Sequence, residues 1–136
     1  MKLAIHFPFN KTSLGQCSNN IARELFKQGK NIPIFHIGQP DHSMLDAEKD
    51  FVNWIVSNSV NSEELHSRNN PVLKLWHING SLESYSNKQY LYTFYELDSP
   101  TSRELNILKN QEMVFLPSTH YANLFSSFDI NCKAIP

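Results

Sequence analysis

The sequence predicts a doubly wound α/β domain with a mostly parallel sheet, and three observations carry that prediction. Short apolar runs of strand length alternate along the chain with longer stretches patterned for helix. The clearest case runs from Tyr90 to Ser118. An aromatic and β-branched run, Tyr90 to Tyr95, and an apolar run, Met113 to Leu116, flank about a dozen helix-patterned residues, as in a parallel β-α-β unit. Finally, 136 residues amount to one domain, long enough to bury roughly two-thirds of the unfolded surface.

Taken in order, Lys2 to Phe7 is the first strand, alternating Leu3, Ile5 and Phe7, and it belongs in the middle of the sheet. Pro8 to Gly15 is a polar loop of turn-forming residues. Ser13 stands three residues before Gln16, a capping-box spacing that starts the first helix near Leu14. Ile21, Ala22, Leu25 and Phe26 form its buried stripe, and Gly29 stops it. Asn31 to Ile37 is a second strand; Pro33 offers no amide to a ladder, so the strand lies near an edge or begins late. Ser43 to Ser57 is a helix, with a break between Asn58 and Ser62 and a short continuation around Leu65.

Pro71 to Ile78 is a third strand, apolar apart from Lys74 and His77. The Asn79-Gly80-Ser81 turn that follows suits a hairpin, but no alternating partner comes close behind, so a strand-to-helix turn is preferred. After Tyr95 the turn carries Glu96 and Asp98, and Asp98 or Ser99 caps the next helix with Pro100 in its first turn. Ser118 caps a last helix with Tyr121, Leu124, Phe125 and Phe128 on its buried side. Cys132 to Ile135 adds a final strand.

Composition narrows the partners. A formal charge of -1, with twelve scattered Lys and Arg, argues against nucleic acid, whose phosphates demand clustered cations. Leu3 to Phe7 contains His6 and stops at Pro8, too short for a signal-peptide core or a membrane span, so a cytoplasmic protein is expected. Cys17 and Cys132 are too few and too far apart for a metal site, and in the cytoplasm they stay reduced.

Chemistry belongs where parallel strands end and helices begin. The Pro8–Gly15 loop lies at such a place, but it contains neither G-x-G-x-x-G nor G-x-x-x-x-G-K-[ST], so no dinucleotide or P-loop cofactor is expected. Glu96 and Asp98 form an E-x-D pair able to share a hard cation, although capping explains Asp98 better and no metal site is assigned. Glu96 is harder to dismiss, since a carboxylate ending a buried strand needs a hydrogen bond or a wet cleft. His77, Asn79 and His120 fall at other strand ends, where a histidine can act as acid or base. Trp54, Trp76, Tyr90, Tyr92, Phe94 and Tyr95 read as packing rather than as a platform for sugar stacking.

Three segments in this order, IHFPFNKTSLGQCSNNIARELFKQG, LWHINGS and TFYELDSPTSRELNILKNQEMVFLPSTHYANLF, resemble the N-terminal domain of GT-B-fold glycosyltransferases of the group 1, family 4-like type. The strand-Glu-x-Asp segment and the Pro-Ser that opens the next helix are the most specific parts, and the likeness is weakest from Asp41 to Asn70. The resemblance implies a Rossmann-like domain that takes a sugar or glycan acceptor, facing a second domain that binds the nucleotide-sugar donor. By position it places Gly15 in the first β-α loop, His77 or Asn79 after a later strand, Glu96 in the carboxylate segment and Ser118 at the Pro-Ser turn, with His120 beyond it. Asn10 and Ser13, in the first loop, complete the expected rim.

In that family the segment similar to CKAIP leads into the donor domain, whereas here it is the end of the sequence. The expectation is therefore an acceptor-side domain, inactive alone. The alternative is a non-catalytic module that uses the same face to form a homodimer or dock a partner. A small flavodoxin-like or receiver-like domain is disfavoured, because its phosphate loop or acidic pocket is missing after the first strand.

Overall fold

The computed structural model describes residues 3–136. They form one all-parallel sheet of six strands: β1 (Ala4–Phe7), β2 (Ile34–His36), β3 (Val72–Leu75), β4 (Gln89–Tyr92), β5 (Met113–Leu116) and β6 (Cys132–Ala134). The spatial order is β2-β1-β3-β4-β5-β6, so β1 is interior and the direction of winding reverses between β1 and β3. An open parallel sheet binds ligands outside the carboxyl ends of its strands at that reversal. β2 lies at the edge and begins just after Pro33, so both consequences of that proline hold. Of the predicted first strand, Lys2 lies outside the described residues, and the strand begins at Ala4.

Five α-helices connect the strands: α1 (Ser13–Lys27), α2 (Lys49–Val60), α3 (Ser62–Leu65), α4 (Ser102–Lys109) and α5 (Thr119–Ser126). Strand alternation sends Ile5, Phe7, Ile34 and Leu75 to one face, where they pack with Ala22 of α1 and with Phe51 and Ile55 of α2. Leu91, Val114 and Leu116 point the other way and pack with Ile107 and Leu108 of α4 and Ala122 and Phe125 of α5. Helices on both faces make the domain doubly wound and Rossmann-like. Among the described residues no helix is long and apolar enough to cross a membrane.

Several boundaries differ from the sequence reading. Thr12, not Ser13, caps α1, its hydroxyl accepting from Gly15 N at 3.2 Å, and Ser13 is the first helical residue. The predicted single helix from Ser43 is a short 3-10 turn, Ser43–Leu45, followed by α2, with the break to α3 at Asn61. Thr101 rather than Asp98 or Ser99 caps α4 in a reciprocal capping box with Glu104, and Pro100 precedes the cap. Thr101 has the capping-box partner, a Glu three residues on, which Asp98 lacks. Ser118 caps α5 as expected, accepting from Tyr121 N at 3.4 Å.

The largest correction concerns the chain after β3. Asn79-Gly80-Ser81 starts neither a hairpin nor a helix: β4 pairs parallel to β3, and the connection from 76 to 88 is turns and bends. Buried polar side chains hold it where a helix was expected. Lys74 Nζ donates to the carbonyls of Gly80 at 2.9 Å and Glu83 at 3.0 Å. Gln89 and Gln111 each donate from Nε2 to Ser81 O, at 2.8 and 2.9 Å, and Ser81 Oγ donates to His77 O at 2.6 Å. A loop can cross a sheet only if its carbonyls find such donors.

Candidate functional site

At the carboxyl ends of β1, β3 and β4 lies a cleft of about 920 Å³. Ser13 and Leu14 from the start of α1 form one side, Trp76, His77, Ile78 and Asn79 the floor and second side, and Phe94, Tyr95, Glu96, Leu97 and Glu104 the third. Local sequence sets each wall. β3 ends at Leu75, and the clamped connection then presents His77 and Asn79 to solvent while Ile78 turns into the α4/α5 core. Past β4, Thr93 N still donates to Phe115 O at 3.0 Å, which keeps the chain extended and carries Glu96 out to the rim.

The walls are apolar and the rim is polar. Tyr95 is buried, its ring edge-on to Tyr121 at 5.5 Å and to Phe125 at 5.0 Å, while its hydroxyl has no hydrogen-bond partner. Burial, with Glu104 adding to it, pushes the Tyr95 phenol above its ordinary value, so it stays a protonated donor. Glu104 is itself buried, and its carboxylate accepts from Thr101 N at 2.9 Å. Trp76 packs edge-on to His77 at 4.9 Å, and Phe94 stands half-open at the mouth.

Of the residues expected from the sequence, Ser13, His77, Asn79 and Glu96 line this cleft together. Asn10 does not: its amide oxygen accepts from Thr12 N at 3.0 Å and shapes the turn before α1. Gly15 is buried in α1, where a Cβ would collide with the Asn10 carbonyl, so the close approach it permits is to that turn. Ser118 and His120 sit at the end of β5 outside the cleft walls, Ser118 in its cap and His120 exposed beside the Tyr121 ring. The expected rim thus divides into a group of four at β1, β3 and β4 and a separate pair at β5. Asp98 is absent from the cleft lining, and among the described residues no group of three or more His, Cys, Asp and Glu could hold a metal ion.

Sequence reasoning passed over Trp76, Phe94, Tyr95 and Glu104 as site residues. The sequence reading assigns the first three to packing, which Tyr95 also does, and Glu104 signals only a helix start, through its Thr-x-x-Glu spacing. The available signal was position: Trp76 and Phe94 follow the last ladder residues of β3 and β4, where side chains leave the core.

In comparisons with protein-family models, curated proteins and solved structures, nothing matches this chain. The class that the fold and cleft define is therefore a Rossmann-like α/β domain with a strand-end cleft of apolar walls and polar rim.

Proposed function

We propose that the chain is an acceptor-side glycosyltransferase domain whose strand-end cleft takes a sugar or glycan acceptor. The observation that carries this reading is the pairing of aromatic walls, Trp76, Phe94 and Tyr95, with a rim of Ser13, His77, Asn79 and Glu96. Sugars present apolar ring faces beside dense hydroxyls, and sites for them combine aromatic surface with a few convergent polar groups. The likeness of the Glu96 and Pro117-Ser118 segments to GT-B enzymes gives the reading its reaction class. The nucleotide-sugar donor would be held by a second α/β domain facing this rim, because transfer needs both substrates in near-attack geometry and positive groups on the leaving phosphate.

The test is an NMR titration with a panel of mono- and oligosaccharides. The expected result is saturable shifts at the Trp76 indole and at His77 and Asn79, weakened in Glu96→Gln. Saturable binding confined to residues outside the cleft, or none, overturns the reading.

A second reading, a homodimerising module without catalysis, draws on a different surface. Tyr90 and Phe115 stack at 6.2 Å on the sheet face opposite α4 and α5, half-buried beside Met113. Sedimentation of the wild type against Phe115→Glu separates the two readings, since only the module loses a dimer on that change.

A further inference from the structure

A second cavity, of about 400 Å³, lies across Trp76 from the cleft, and it contains a buried cation without an acidic partner. Its walls come from β1, β2 and β3 and from the clamped connection after β3. Lys74 and His6 are opposite one another in the parallel register of β1 and β3, and both point to the sheet face that α1 and α2 leave free. The connection, rather than a helix, covers them, with Tyr85 stacked on Phe35 at 4.0 Å and edge-on to His6 at 5.0 Å.

Lys74 is 3% exposed. An ammonium has three N–H donors; two go to Gly80 O and Glu83 O, and among the described residues no carboxylate lies within salt-bridge distance. A buried charge answered only by carbonyl dipoles is costly. His6, 9% exposed, lines the same cavity, and its Nδ1 has no hydrogen-bond partner. His36 also lines the cavity, but its imidazole turns to the α2 side of the sheet, where Nε2 lies 2.9 Å from Ser59 Oγ. Gly38 and Gly80, at φ +73° and +89°, form part of the wall; nothing would touch a Cβ on Gly38, so the space beside it is open.

We propose that this cavity is a binding site for a small oxyanion, a phosphate or carboxylate group, with Lys74 as its charge partner and His6 as a hydrogen-bond partner. An oxyanion takes the third ammonium proton and an imidazole N–H at once, which satisfies two of the buried groups left open. The charge environment is consistent with this. Burial, then Lys74 and His36, lowers His6 to about 4, and burial lowers Lys74 against the pull of Glu83. A negative charge placed beside them would raise both. Glu83 is the opposing group: it lines the mouth, exposed, and repels an incoming anion.

The test follows the His6 imidazole by NMR while inorganic phosphate, and separately acetate, is added to the whole chain at constant ionic strength. Saturable His6 shifts at pH 7 are expected with at least one of the two, together with an upward move of its midpoint by roughly one unit. Lys74→Met should abolish the response, and Glu83→Gln should tighten binding about two- to fivefold, as expected for removal of one exposed like charge. If Lys74→Met does not fold, Glu83→Gln decides. The absence of a saturable His6 response to both anions, its persistence in Lys74→Met, or an affinity unmoved by Glu83→Gln overturns the proposal.

Discussion

Gln89 and Gln111 converge on one carbonyl. Gln89 Nε2 lies 2.9 Å from Gln111 Oε1, and both amides donate to Ser81 O. Gln89 opens β4 and Gln111 follows α4, so two elements distant in sequence fix the loop that bears His77 and Asn79. Gln111→Leu strands the Ser81 carbonyl and the Gln89 amide in part, and about 1–3 kcal/mol of stability is expected to be lost. Gln89→Leu with Gln111→Leu should cost less than the sum of the two single changes. Denaturant unfolding of all four proteins checks it; strict additivity contradicts the shared anchor.

Acid should destabilise the fold through buried imidazoles. His6 titrates at about 4 in the folded chain because burial excludes its charge, against about 6.5 unfolded. The unfolded chain therefore binds the extra proton first. The contribution of His6 is fully present above pH 6.5 and is lost as pH falls towards 4, on the order of 2–3 kcal/mol. His36 and His42, also lowered chiefly by burial, act in the same direction. His6→Gln should flatten the loss between pH 6.5 and 4 in a denaturant series; an unchanged slope contradicts the assignment.

Gly15→Ala tests the close approach of α1 to its own entry loop. The new Cβ would overlap the Asn10 carbonyl and side-chain oxygen, which must move. Overpacking of this kind costs about 1–3 kcal/mol, whereas helix propensity alone would make the change stabilising by up to about 1 kcal/mol. The sign of the change in thermal midpoint decides between them.

Tyr95→Phe separates packing from recognition. The Tyr95 hydroxyl is buried without a partner, so removing it should leave stability unchanged or raise it slightly. If the hydroxyl meets an acceptor in the cleft, the same change weakens saccharide binding about three- to tenfold, the worth of one hydrogen bond. Equal affinity in the two proteins removes Tyr95 from the site.

The fold was legible because apolar periodicity and turn residues are local signals. β5 matches Met113 to Leu116 residue for residue, and Pro33 pointed to a late start or an edge position for β2, which has both. The connection after β3 was not legible, since Lys74, Gln89 and Gln111 are far apart in sequence and look like surface residues until the fold buries them. The same holds for the cleft. Strand ends could be located from sequence, which found Ser13, His77, Asn79 and Glu96, but which ends converge depends on strand order. β1, β3 and β4 are neighbours and their ends form the cleft, whereas Ser118 and His120, after β5, do not line it. Thr101 over Asp98 as a cap was readable in principle from the Thr-x-x-Glu spacing.

The central proposal is that the cleft between β1, β3 and β4 takes a sugar acceptor rather than the nucleotide-sugar donor. Paired calorimetric titrations of the purified chain, one with oligosaccharides and one with nucleotide sugars, address it most directly. The account predicts saturable heat from an oligosaccharide, reduced in Glu96→Gln, and none from the nucleotide sugars. Nucleotide-sugar binding at this cleft, or sugar transfer by the chain alone, would contradict it.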